Sequence, residues 1–110
     1  MSHQHADLAA GRWKELPFLE QMANIGSEVE RAQKWRTKNN PEYSEKALER
    51  ALELIDLAIE YSSTRSRLRE LVRMREALVD YFFGANEFGS TEASWRRYFS
   101  HFTVAVRRNT

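Results

Sequence analysis

Cysteine is absent from these 110 residues. Disulfides, thiolate metal sites and cysteine nucleophiles are thereby excluded. Proline occurs twice and glycine four times, so each one marks a local event rather than a loop-rich chain. No apolar run comes near the ~20 residues that a membrane-spanning helix needs, and no membrane role is expected. The stretch from Met1 to Ala10 is polar and lacks the basic-then-apolar order of a secretion signal. A cytoplasmic protein is expected. A strong overall field is missing too. The formal net charge is +1 although 30% of residues are charged, so no general attraction to nucleic acid or membrane follows.

Several chemistries are missing with them. No Glu-x-x-His pair exists, which excludes a di-iron carboxylate bundle. No glycine-rich phosphate loop is present. Of the three histidines, His3 and His5 sit in a polar N-terminal stretch where a stray metal is the most they would hold. No metal site and no cofactor are expected.

What is present is helical periodicity. Hydrophobic residues make up 42% of the chain, enough for the core of one domain. Residues 1–12 carry no strong period and read as a flexible N-terminal tail; 13–110 read as a single domain. Pro17 suits the first turn of a helix. From there Phe18, Met22, Ile25, Val29 and Ala32 recur at helical spacing to about Lys38. Gly26, inside that helix, suggests close packing against a neighbour. Asn40-Pro41-Glu42 reads as an N-cap, a first helical residue and an acid near the positive helix end. The second helix turns Ser44, Leu48, Ala51, Leu52, Ile55, Ala58 and Ile59 inward. A third begins near Thr64 and buries Leu68, Leu71, Val72, Leu78, Val79 and Phe82. Residues 84–89 form a loop. Ser90 or Thr91 then caps a fourth helix with the inner stripe Trp95, Tyr98, Phe99, Phe102, Ala105 and Val106. Four amphipathic helices with short loops imply an all-α antiparallel four-helix bundle.

Charge placement carries the functional expectation. Of the 17 basic residues, 13 are Arg, the residue suited to bidentate contact with carboxylate or phosphate. In the second helix Glu42, Glu45, Glu49, Glu53, Asp56 and Glu60 fall within roughly 80° of one flank. In the third, Arg65, Arg69 and Arg73 share a flank. Opposed flanks of this kind pair across neighbouring helices or subunits. The fourth helix differs. After Glu92 it carries no acid, and Arg96, Arg97, His101, Arg107 and Arg108 lie outward. Arg107 and Arg108 complement the helix dipole, but Arg96 and Arg97 stand near the end where the dipole disfavours them. Such a face suits the phosphates of RNA or DNA.

Arg75 projects into the centre of the third helix's apolar stripe. A buried Arg needs a partner, and Glu28 is the first candidate, Asp56 the second. Aromatics reach 12%. Tyr81, Phe82, Phe83 and Phe88 cannot all face one core, and Trp13 and Trp35 lie at the ends of the first helix. This surplus predicts self-association or a partner surface.

Two resemblances bear on function. Arg96-Arg97-Tyr98-Phe99-Ser100-His101 places four residues between Arg and His. It resembles the Arg-x(4–6)-His element of HEPN-domain ribonucleases, small helical bundles that dimerise to form an RNA-cutting cleft. That resemblance implies a metal-independent ribonuclease toxin with Arg96 and His101 as catalytic residues. Over the whole chain, size, helix count and Arg enrichment resemble small prokaryotic four-helix-bundle proteins. These are the ones encoded by rRNA intervening sequences and the accessory proteins of diversity-generating retroelements. The latter resemblance implies a homo-oligomeric accessory protein that binds nucleic acid and a partner such as a reverse transcriptase, and it carries over no individual residue. The stretch from Trp13 to Val29 has the character of a family signature. A non-enzymatic accessory bundle is the reading favoured here; the ribonuclease and a protein-only adaptor are the alternatives.

Overall fold

The computed structural model describes residues 11–108. The tail expected over 1–12 lies outside the described residues except for Gly11 and Arg12. The described chain is helical, without strands: α1 (Phe18–Thr37), α2 (Pro41–Glu60), α3 (Arg65–Phe83) and α4 (Glu92–Arg108), preceded by a 3-10 turn at Trp13–Glu15.

Three of the four helix starts follow from capping side chains; α1 begins after Pro17, which stands at the N-cap position rather than in the first turn and makes no side-chain capping bond. The Asn40 side chain accepts the Tyr43 N–H at 3.1 Å, with Pro41 in the first helical position, where its missing N–H costs nothing. The Thr64 hydroxyl accepts from the Arg67 N–H at 3.2 Å. Thr91, rather than Ser90, caps α4. Its hydroxyl accepts the Ser94 N–H at 2.9 Å, and the Ser94 hydroxyl accepts the Thr91 N–H at 2.9 Å, so two otherwise orphaned donors are satisfied reciprocally. The loop before α4 is held by Asp80, whose carboxylate accepts from the Glu87 and Phe88 N–H groups. Asn86 then exchanges two hydrogen bonds with the Ser90 backbone.

α1 packs against α2 and α4, and α2 also packs against α3 and the Trp13 turn. Contacts between α1 and α2 join Trp35 to Tyr43, Ala32 to Ser44 and Glu28 to Arg50. Those between α1 and α4 join Phe18 to Phe102 and Glu30 to Arg96. Residue numbers fall along one member of each pair as they rise along the other. From α1 to α3 they rise together, Phe18 meeting Arg67 and Gln33 meeting Tyr81.

The core is Met22, Ile25, Val29 and Ala32 of α1 against Leu48, Ala51 and Ile55 of α2, closed by Leu71 and Leu78 of α3 and by Trp95 and Phe99 of α4. Gly26 does let two helices approach: a Cβ there would lie 2.8 Å from ring and Cβ atoms of Phe99. Trp13 is buried, and its carbonyl accepts from Gln21 Nε2 at 2.8 Å. This stitches the turn onto the first helix.

On α3 the structure corrects two expectations. Leu68 and Val72, expected inside, are each 39% exposed, while Met74 is buried with Leu71 and Leu78. The covered line of α3 is therefore rotated by about a sixth of a turn from the centre of its apolar residues. α3 carries a wider apolar arc than its neighbours cover. The same rotation moves Arg75 out of the core to the α2 edge. There its Nε reaches Asp56 Oδ1 at 2.7 Å, with side chains 38% and 46% exposed. The buried Arg75–Glu28 pair does not form. Glu28 faces α2 and is taken by Arg50 at 2.8 Å and by Arg31 at 2.9 Å. Asp56, the second candidate for Arg75, is thus its partner, in an exposed pair rather than a buried one.

Candidate functional site

The outer face of α4 is where the sequence concentrates unopposed Arg. Arg96, Arg97, His101, Arg107 and Arg108 are all exposed. They do not form one patch. At about 100° per residue, Arg97, His101, Val104 and Arg108 fall in one line along the helix. Arg96 and Arg107 lie about a quarter-turn away, on the side of α1. Arg96 is engaged there. Its Nη2 reaches Glu92 Oε1 at 2.8 Å and its Nε reaches Glu30 Oε1 at 3.8 Å. No hydrogen bond or ion pair joins the guanidinium of Arg97 or Arg108 to another described residue. His101 and Arg108, with Ser100, Val104 and Ala105, line a shallow depression of about 340 Å³.

Local sequence explains this division. α4 begins with Glu92, one turn before Arg96, a spacing that favours an ion pair on the helix surface. Arg97 has Ala93 in the equivalent place and finds no carboxylate. Arg96 and His101, joined in the ribonuclease-like pattern, point about 140° apart. Among the described residues no group of three or more His, Asp or Glu is arranged to hold a metal ion; His3 and His5 lie outside those residues. Among the described residues no helix is long and apolar enough to cross a membrane.

A second concave feature was not anticipated. α3 and α4 enclose a groove of about 930 Å³ whose walls include Val72, Met74, Ala77, Phe88, Trp95 and Tyr98. Arg69, Arg73, Glu70 and Glu76 also line it. The Tyr98 hydroxyl crosses between the helices and donates to Glu70 Oε2 at 3.0 Å. Burial, reinforced by the Glu70 charge, pushes the Tyr98 pKa well above the usual tyrosine value, so this phenol serves as a fixed hydrogen-bond donor. Trp95 lines the groove but its buried Nε1 has no hydrogen-bond partner. Of the surplus aromatics Tyr81, Phe82, Phe83 and Phe88, Phe88 alone lines this groove, so the sequence signal for it was slight.

No known protein family, characterised protein or solved structure matches this chain. What the chain does is therefore read from these two surfaces.

Proposed function

We propose that this chain is a non-enzymatic, self-associating helical-bundle accessory protein. In this reading it binds nucleic-acid phosphates through the outer line of α4 and serves a nucleic-acid-handling protein partner. One observation carries the reading: Arg97 and Arg108 stand exposed on one helical line, flanking His101, on a helix with no acid after Glu92. Guanidinium groups without intramolecular carboxylates are free to take phosphate oxygens, which supply position and salt-dependent affinity rather than sequence reading. Arg96 is the weaker member, since Glu92 and Glu30 already compete for it. The same engagement counts against Arg96 as the charge-stabilising residue of a nuclease, which would need its guanidinium at the scissile phosphate.

The test is a salt titration of binding to a labelled RNA and a labelled DNA, beside a cleavage assay with chelator present. Arg97→Glu and Arg108→Glu should each weaken binding and lower the slope of log affinity against log salt by about one. Arg96→Glu should do less. His101→Ala should change binding little. Metal-independent RNA cleavage that disappears in His101→Ala would replace this reading with the ribonuclease. Absence of binding at low salt would leave a protein-only adaptor.

A further inference from the structure

α3 has an outer seam that the bundle leaves bare. Leu68 and Val72 are each 39% exposed and Phe83 is 56% exposed, and Val79 is half-buried between them. At about 100° per residue these four fall within roughly 60° of one another. They follow the four-then-seven spacing of a helix meant to meet another helix. Phe88, 62% exposed, stands at the rim of the adjoining groove.

The charges beside the seam say what covers it. Arg69 and Glu76 lie on the same flank, seven residues apart, and neither side chain has a hydrogen bond or ion pair to another described residue. Along the whole helix the first half holds Arg65, Arg67, Arg69 and Arg73 with Glu70, and the second half holds Glu76 and Asp80 with Arg75, which is paired with Asp56. A flank with a base in its first half and an acid in its second, as Arg69 and Glu76 form here, complements a reversed copy of itself. A parallel copy would carry its Arg69 and Glu76 on the opposite side of the seam, where they do not meet those of the first copy.

We infer that α3 is the interface of a two-fold symmetric dimer, in which the outer seams of two copies pack with their helices reversed. The inference rests on the self-association proposed above and assigns it a surface. An axis passing near Val72 and Arg73 sets Leu68 opposite Val79 of the second copy. It sets Arg69 opposite Glu76 of the second copy, and symmetry repeats each contact. Arg75 and its Asp56 partner lie at the border of the seam, where the aliphatic stem of Arg75 covers apolar surface while its head keeps its carboxylate. The dimer leaves the outer line of α4 uncovered, and two copies present two such lines.

Sedimentation equilibrium on the full chain tests this. The wild type should self-associate. Val72→Glu should weaken the dimer by about a hundredfold or more, since each copy places a charge in the apolar contact. Arg69→Glu and Glu76→Arg should each weaken it by about tenfold. The double variant Arg69→Glu/Glu76→Arg should return to within a few-fold of wild type, because the swapped pair restores complementarity on both sides of the axis. A wild type that stays monomeric overturns the self-association reading itself and this interface with it. A wild type that associates but ignores Val72→Glu keeps self-association and overturns the α3 interface. So does a double variant as weak as the single ones. All these positions are exposed, so circular dichroism should match wild type. Should Val72→Glu fail to fold, the charge-swap cycle decides alone.

Discussion

A methyl group added at Gly26 would stand 2.8 Å from Cβ, Cγ and Cδ1 of Phe99. Two effects then compete. Replacing Gly by Ala inside a helix favours folding by about 1 kcal/mol, through lower backbone entropy in the unfolded chain. Against it, carbon atoms attract best at about 3.5–4.0 Å, so α1 and α4 must separate by most of an ångström. One of the three crowded atoms is the Phe99 Cβ, which no rotamer change can move. The ring is buried and lies against Trp95 and Tyr98, so it has no empty volume to enter. Overpacking of this kind costs about 1–3 kcal/mol, and a contact fixed at Cβ belongs in the upper half of that range. The net expectation for Gly26→Ala is a loss of about 1–2 kcal/mol, a fall in Tm of about 5–10 °C for a domain of this size. Thermal melts followed by circular dichroism measure it. In a Phe99→Ala background two of the three contacting atoms are gone, and the penalty should fall by half or more when read from urea midpoints at low temperature. A Gly26→Ala variant that melts above wild type would refute the steric argument and leave helix propensity in control.

Two of the ion pairs between α2 and its neighbours should differ in worth. Glu28 is 14% and Arg50 26% exposed, so Arg50→Ala should cost about 1–3 kcal/mol by urea denaturation, with Arg31 retaining part of the contact. Arg75→Ala should cost under about 1 kcal/mol, because both members of its pair stand in water, and a larger loss would mean that Arg75 is buried after all. Tyr98 makes stability fall in alkali. Its pKa is raised in the fold, so its contribution is intact below the unfolded value of 10.0 and is lost as pH rises above that point. Tyr98→Phe should flatten the decline above pH 10 relative to wild type, and an unchanged slope would remove the Glu70 bond from the account.

The helices and their starts were legible because they depend on local chemistry. Asn40-Pro41 and Thr64 act through backbone groups three residues away, and Gly26 has no packing role to fill except close approach. Which part of an apolar arc turns inward is not local. Leu68, Leu71, Val72, Leu78 and Val79 form one arc on paper, and only the position of α2 selects Leu71 and Leu78, with Met74, for burial. The error in Arg75 is the same error, since one rotation moves both. Glu28 was named as the partner of a buried Arg, but which Arg it meets depended on which helix lay opposite, and that is Arg50. On α4 the five basic residues were visible as a set. Their division into an engaged Arg96 and an unengaged Arg97 follows the local Glu92–Arg96 spacing, and only the longer contact to Glu30 needed another helix. The α3–α4 groove could be anticipated only as a surplus of aromatics without an address.

The junction of α1 with α4 also bears on how the chain assembles. α1 and α2 are joined by a tight turn and can find each other through neighbouring residues, an event on the microsecond scale for helical pairs. The contact of Phe18 with Phe102, by contrast, spans nearly the whole described chain and must wait for α4 to exist. Until then the side of α1 that carries Gly26 faces water. Substitutions at the α2 face of α1 should accordingly slow folding, whereas those at Gly26 and Phe99 should chiefly speed unfolding. α4 carries the proposed phosphate line as well, so the last helix to dock is also the one that would meet the ligand. Nucleic acid bound there would hold the bundle shut, lengthening the life of the folded state without adding a contact to its core.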